Sequence, residues 1–223
     1  MKKLRNMLYG ACAMVAASMA TTPLLAENQF AGIYVAVQGA ANGVELDGST
    51  TDSNSQVQNG NGGMFGMTAG FDVGYSLPLG DTMFISVGAG INPGDATFDV
   101  SGGGSANTTN ADVTMELGDL VTYYITPGFT ISDNSALYFK YGQTQADLNV
   151  TGDVTKLTSL DGETWAIGTI GQHESGIYFR TEAGITEYDN VKLTGLGTYI
   201  ATTNSATADP TAAYGQISAG YRF

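Results

Sequence analysis

Residues 65–76 read Phe-Gly-Met-Thr-Ala-Gly-Phe-Asp-Val-Gly-Tyr-Ser. Successive side chains of an extended strand point to opposite faces. Phe65, Met67, Ala69, Phe71, Val73 and Tyr75 therefore share one side, and Gly66, Thr68, Gly70, Asp72, Gly74 and Ser76 the other. One face is apolar and aromatic, and the other is small and polar. The split recurs in Met83, Ile85, Val87, Ala89 and Ile91 against Ser86, Gly88, Gly90 and Asn92, and in Val121, Tyr123 and Ile125 against Thr122, Tyr124 and Thr126. At the end of the chain Ala213, Gly215, Ile217, Ala219, Tyr221 and Phe223 oppose Tyr214, Gln216, Ser218, Gly220 and Arg222. Helical periodicity is absent from these stretches.

Eight alternating segments can be laid out, at about 31–46, 64–76, 83–92, 113–129, 137–148, 163–170, 177–188 and 212–223. The connections alternate in length. Short ones at Leu77–Thr82, Thr130–Ala136 and Gly171–Gly176 are interleaved with long polar ones near 47–63, 93–112, 149–162 and 189–211. Short turns on one rim and long loops on the other are the habit of transmembrane barrels. With eight strands both chain ends fall on the short-turn rim. A soluble barrel would turn its apolar face inward and a charged face outward. Here the second face is Gly, Ser, Thr and Gln with few charges, a composition suited to a narrow interior, so the apolar face is the outer one.

The first 26 residues are a different kind of segment. Lys2, Lys3 and Arg5 precede a mostly apolar stretch from Met7 to Met19, and Leu24-Leu25-Ala26 precedes Glu27. This is the pattern of an export signal with a small residue at the cleavage point, which divides the chain into a signal peptide, 1–26, and a barrel domain, 27–223. The single cysteine, Cys12, leaves with the signal. The remaining 197 residues carry 21 acids and five bases. That balance excludes a nucleic-acid binder, which needs a Lys/Arg surface. One thiol excludes a disulfide scaffold or a Cys-ligated metal site.

The export signal, the alternating strands, the closing Ser218-Ala219-Gly220-Tyr221-Arg222-Phe223 and the stretch from Tyr178-Phe179-Arg180-Thr181-Glu182 to Glu187-Tyr188-Asp189 together resemble the small eight-stranded outer-membrane barrels of the opacity-protein and OmpA/OmpX kind. The resemblance covers the whole of 27–223. It implies an all-β, eight-stranded antiparallel up-and-down transmembrane barrel in the bacterial outer membrane, both ends periplasmic, embedded in lipid and lipopolysaccharide. It also implies that the C-terminal strand, through Tyr221 and Phe223, is the signal read by the barrel-assembly machinery. OmpA itself continues into a peptidoglycan-binding domain, whereas this chain stops at its last strand.

Within that register Lys140, Arg180 and Arg222 point inward, together with Asp72, Glu116 and Glu182, and an ionic cluster across the lumen is expected. A one-residue slip would turn all of them to lipid. The rings of Tyr34, Phe84, Tyr124, Tyr138 and Tyr178 should fill the space left by inward glycines. Aromatic residues favour the headgroup level, which places Tyr75, Phe129, Tyr221 and Phe223 in one outward girdle and Phe65 and Trp165 in the other. His173, the only histidine, lies beside Glu174 and Ser175, but adjacent residues in a tight turn do not make a nucleophile and base. The acids in and beside the long connections, Glu45, Asp47, Asp52, Asp95, Asp99, Asp112, Asp147, Asp153, Asp161, Glu163, Glu187, Asp189 and Asp209, lack the spacing of a calcium loop. They describe a solvated surface, with divalent-cation bridging of the loops to lipopolysaccharide as the alternative. The expected protein is non-enzymatic, without cofactor or metal, structural or adhesive through four long acidic loops that meet a cell-surface ligand. A narrow porin-like channel is the alternative, and a lipid-modifying enzyme a third possibility.

Overall fold

A strand with one apolar and one polar face cannot rest alone in either water or lipid, and closing the sheet on itself resolves both faces at once. The structure, a computed structural model, describes residues 28–52, 55–93, 96–100, 113–151, 159–194 and 203–223. The export signal expected at 1–26 lies outside them. The strands are β1 (Gly32–Asp52), β2 (Val57–Pro78), β3 (Met83–Asn92), β4 (Ala96–Val100), β5 (Val113–Ser132), β6 (Ser135–Thr151), β7 (Ser159–Gln172), β8 (Ile177–Tyr188), β9 (Val191–Thr194) and β10 (Thr203–Arg222). Antiparallel pairing runs β1-β2-β3-β5-β6-β7-β8-β10 and returns from β10 to β1. β4 follows β3 along β5, and β9 follows β8 along β10, so ten strands make eight staves. The fold is a closed, all-β, eight-stranded antiparallel barrel.

The short turns lie at 79–82, 133–134 and 173–176. Gly176 has φ +89°, and a Cβ there would meet the Arg222 carbonyl at 2.5 Å. Its own carbonyl accepts the Arg222 N–H at 2.8 Å, which ties this turn to the last strand. The opposite rim differs from the sequence expectation. Much of the supposed loop at 47–63 is paired strand, from Leu46↔Gly62 to Thr51↔Val57, and β10 already starts at Thr203 inside the supposed loop 189–211. Gly, Ser, Thr and Asn read as loop because they form no apolar face. A strand standing in water needs none, and ladder hydrogen bonds alone extend it.

The faces follow the alternation. Phe71, Val87, Ile125, Phe179 and Ile217 are exposed on the outside, whereas Asp72, Ser86, Tyr124, Arg180 and Ser218 are buried inside. A bulge between Gly118 and Leu120 in β5 interrupts this order. The period-two count from Tyr124 therefore shifts by one beyond it. Glu116 pairs with Asn149 and Thr97 on the backbone, and its side chain lies outside the described residues.

The interior is built from cross-strand pairs of one ring and one glycine. Tyr34 faces Gly74, Phe84 faces Gly128, Tyr124 faces Gly88, Tyr138 faces Gly168, Tyr178 faces Gly220 and Tyr214 faces Gly184. In each pair a Cβ on the glycine would run into the ring of its partner. The rings lie flat over the neighbouring strand, covering bare backbone that would otherwise line an open lumen. Adding a methyl at these positions is overpacking, which costs roughly 1–3 kcal/mol. Gly128→Ala and Gly168→Ala should each lower the unfolding free energy in urea by that amount. Gly171→Ala, where a Cβ meets nothing within 4 Å, should leave it unchanged.

Candidate functional site: the lumen

Reading upward from the short-turn rim, the first layer is a segment with no place in the strand pattern. Asn28, Gln29 and Phe30 fold back under the barrel ahead of β1. The Asn28 side-chain amide donates to the carbonyls of Gly80 and Met83 at 3.4 and 3.3 Å. Gln29 donates to Asn134 Oδ1 at 3.3 Å, and its carbonyl accepts the Gln172 amide at 2.6 Å. Phe30 is 1% exposed and stacks on Phe84 with ring centroids 5.6 Å apart. This strap ties one turn to the next and places an aromatic stopper in the mouth. In sequence, Asn-Gln-Phe just after the expected cleavage point carries no periodicity, which leaves the strap without a signal there.

Arg222 belongs to this layer. The sequence register groups it with the lumen acids, but its Nε donates to Gln172 Oε1 at 2.9 Å and its Nη1 donates to the Phe30 carbonyl. The guanidinium also lies 5.0 Å over the Tyr34 ring and 5.7 Å over that of Tyr178. It sits at the end of β10, too near the mouth to reach a carboxylate, and satisfies its donors on the strap and the rings.

The charged layer lies above. Lys140 on β6 places Nζ 2.6 Å from both oxygens of Glu182 on β8. Tyr138 and Tyr214 donate their hydroxyls to the same carboxylate at 2.6 and 2.8 Å. Arg180 Nη2 lies 3.2 Å from Asp72 Oδ1 on β2. Tyr124 donates to Asp72, its hydroxyl 2.8 Å from each carboxylate oxygen, and meets Tyr34 at 3.1 Å. Lys140 also stands 4.5 Å over the Tyr124 ring. The two pairs are held unequally. Nε and Nη2 of Arg180 have no hydrogen-bond partner among the described residues, while the Glu182 carboxylate takes three donors. Tyrosines thus provide the neutral donors that let two acids share a narrow lumen with two bases.

Amides and hydroxyls form the next layer. Gln216 donates to Gln38 at 3.0 Å, and Gln38 donates to Asn92 at 2.8 Å. Thr122, Thr144, Thr164 and Thr186 join across β5, β6, β7 and β8 in a hydroxyl ladder at 2.8, 2.6 and 2.8 Å. Aligning the inward positions of neighbouring strands would have revealed the ladder. A cavity of about 50 Å³ remains, bounded by Asp72, Lys140, Glu182, Asn92, Thr164 and Tyr214 among others. Space of that size admits a few water molecules.

Outside, Phe129, Tyr221 and Phe223 are exposed near the short-turn rim and Tyr75 is half-buried there, while Phe65 and Trp165 are exposed higher up. The Tyr221 and Phe223 rings meet edge to face at 4.9 Å. Trp165 lies 4.3 Å from Tyr141 and 5.7 Å from Phe139. Tyr221 pairs with Ile177 and Trp165 with Ile185, so eight residues of β8 separate their levels. For a strand tilted ~40° and rising ~3.3 Å per residue this is about 20 Å of height.

His173 is exposed in the 173–176 turn, where its Nδ1 lies 3.0 Å from the Ser175 hydroxyl and accepts the Ser175 N–H at 3.2 Å. Both contacts close the turn on itself. Of the acids, Glu45, Asp47, Asp147, Asp161, Glu163, Glu187 and Asp209 are exposed on strands rather than in loops, and Asp189 is exposed between β8 and β9. Asp47 stands directly across from Asp209, and Glu163 from Glu187. Opposed like charges weaken a sheet, so these positions do not serve stability. Asp95, Asp112 and Asp153 lie outside the described residues, as do the side chains of Asp52 and Asp99.

These features define a class, the small eight-stranded barrels of the outer-membrane fold, with a filled lumen and an apolar exterior. The structure is similar to that of the outer membrane protein OprG from Pseudomonas aeruginosa, with 13% identity, coverage of 86% of this chain and 96% of that one, and a TM-score of 0.55. Ail, the attachment invasion locus protein of Yersinia pestis, aligns at 10% identity over 83% of this chain and 98% of its own, with a TM-score of 0.47. The outer membrane protein AlkL aligns at 15% identity over 91% and 95%, also with a TM-score of 0.47. No protein-family model matches the sequence, and no curated protein does.

Removing one partner of a buried pair leaves an uncompensated charge and costs roughly 3–5 kcal/mol, whereas replacing both by apolar residues of similar size is often neutral. Lys140→Met and Glu182→Leu should each destabilise the refolded barrel by about that amount. The double variant should recover most of the loss. Urea unfolding of all three in one lipid composition checks it.

Proposed function

We propose that the protein is a non-enzymatic, integral outer-membrane barrel that acts at the cell surface, structurally or as an adhesin, through its outward-projecting strands and loops. In this role both chain ends face the periplasm, the exterior contacts lipid and lipopolysaccharide, and Tyr221 and Phe223 present the terminal strand to the assembly machinery. The outward rings near each rim act as girdles at the two headgroup levels. A cell-surface ligand meets the acidic strand ends.

The observation that carries this role is the division between a filled interior and a bare exterior. The lumen is filled from Phe30 through the ion pairs to the amide layer, with a cavity of about 50 Å³. The exposed acids stand on strands that continue well beyond the level of Trp165. An eight-stranded barrel has room for little more than its own side chains, while open channels belong to barrels of about 16 strands. His173 and Ser175 bond to each other on an exposed turn.

The alternative, a narrow channel, has one observation in its favour: Arg180 is less fully bonded than Lys140, so the cluster has one member able to move. Conductance separates the two roles. Purified protein in planar bilayers should show no steady open level. Replacing Arg180 and Glu182 together by Ala, combined with removal of Asn28–Phe30, should raise the leak more than either change alone, because the two barriers lie in series. Steady single-channel conductance from the unmodified protein would put the channel first. Deleting the outer ends of the β1–β2 and β9–β10 regions should abolish attachment of cells bearing the protein to a host or neighbouring surface.

A further inference from the structure

Two outward features of different chemistry meet on β6, β7 and β8 at the level of Trp165. The first is aromatic. Trp165 of β7 lies across from Tyr141 of β6 with ring centroids 4.3 Å apart, and Phe139 packs on it at 5.7 Å. These two rings fix the indole in place, yet it remains 44% exposed. The second feature is charged. Two residues further up the same outward face, Glu163 of β7 stands directly across from Glu187 of β8. Both are exposed. Neighbours two apart on one face of a strand are about 7 Å apart. A group held between the two carboxylates therefore comes within cation–π reach of the indole, ~6 Å from its centroid.

Like charges opposed across an antiparallel pair repel, and the described side chains do not relieve this pair. The salt bridges among the described residues are the two in the lumen. Lys192, the one exposed cation among them, pairs with Thr207 of β10, whereas Glu187 faces Thr211 further down that strand. Lys156 lies outside the described residues. A metal ion would need more ligands than two glutamates supply. No group of three acidic, His or Cys side chains suited to one occurs among the described residues. An organic cation needs only the two carboxylates and the ring.

We infer that this outward face of β7 and β8 binds the primary ammonium of a membrane-lipid headgroup. Glu163 and Glu187 accept its N–H donors, and its positive charge lies on the Trp165 ring. Below them the acyl chains run over Ile185 and Ile167, both exposed to the lipid side. An ammonium has three donors, enough to serve both carboxylates, while an anionic headgroup is repelled. The charge complementarity selects the headgroup, and the depth of Trp165 makes its carrier a lipid. The inference rests on the headgroup-level placement of Trp165 proposed above and adds the chemistry of a lipid partner.

The test uses the whole barrel reconstituted in phosphatidylcholine with a minor fraction of lipid brominated on its acyl chains. Bromine quenches indole emission, and Trp165 is the only tryptophan of the chain, so its fluorescence reports which headgroup collects beside it. Brominated phosphatidylethanolamine should quench as though enriched roughly fivefold over brominated phosphatidylglycerol, the preference that an exposed cation–π contact can supply. Glu163→Gln and Glu187→Gln together relieve a repulsion without disturbing the wall, and should remove the preference. Lys156→Ala should leave it unchanged. Equal quenching by the two lipids with the unmodified protein would overturn the proposal, as would a preference that survives the double substitution. A preference that appears only on adding Mg2+ would place a metal ion on the carboxylates instead. One that rises in Lys156→Ala would show that the chain's own lysine occupies them, and would equally overturn it. The position of the bromine separates the two readings. If bromine near the headgroup quenches best while the headgroups are not distinguished, the girdle stands and this inference falls. If bromine near the chain end quenches best, both fall.

Discussion

Everything in this barrel follows from the backbone hydrogen bond, which has no water to fall back on between the two rims. Each N–H and C=O at that depth must find its partner in a neighbouring strand, and a sheet satisfies this on every strand only by closing. The β1–β10 ladder, from Tyr34↔Arg222 up to Asp52↔Thr203, is the seam that achieves it. Closure with eight staves fixes a narrow bore, and the narrow bore dictates what can stand inside. That is why the inner face alternates large rings with glycine, and why its charges occur as tyrosine-supported pairs.

The lumen is consequently a sequence of layers with different physics. The strap and the Phe30–Phe84 stack are held by apolar contact and by bonds to turn carbonyls. The ion pairs above them depend on a low dielectric and on the hydroxyls of Tyr124, Tyr138 and Tyr214 that support the two carboxylates, since an unpaired charge there is far costlier than at the surface. The amide and threonine layer is neutral and self-satisfied. Filling the bore with side chains that bond chiefly to one another makes the interior a matter of fold integrity.

The membrane-spanning part was legible because lipid imposes the alternation that sequence can display. The positions that place Phe71 outside and Asp72 inside are the same that bring Lys140 and Glu182 together from strands 42 residues apart. What escaped notice had no such constraint. The outer strand ends at 47–63 stand in water and need no apolar face. The β5 bulge at Gly118/Leu120 leaves no mark in composition yet shifts the period-two count beyond it. The strap is three residues with no period. For Arg222, parity gives the face of the side chain but not its depth, and depth decides its partners.

The strap also has a bearing on the order of assembly. The contact between Arg222 and the Phe30 carbonyl joins residues 192 positions apart, one beside each end of the barrel. Loop closure over such a span is entropically expensive while the intervening chain is free and becomes cheap once the staves hold the ends together. The mouth therefore seals late, after β10 has docked on β1. A nascent barrel with its last strand unplaced keeps its lower opening clear of Phe30, so the stopper works as a mark of completion: a chain that lacks its final two residues can build most of the wall and still fail to close its floor.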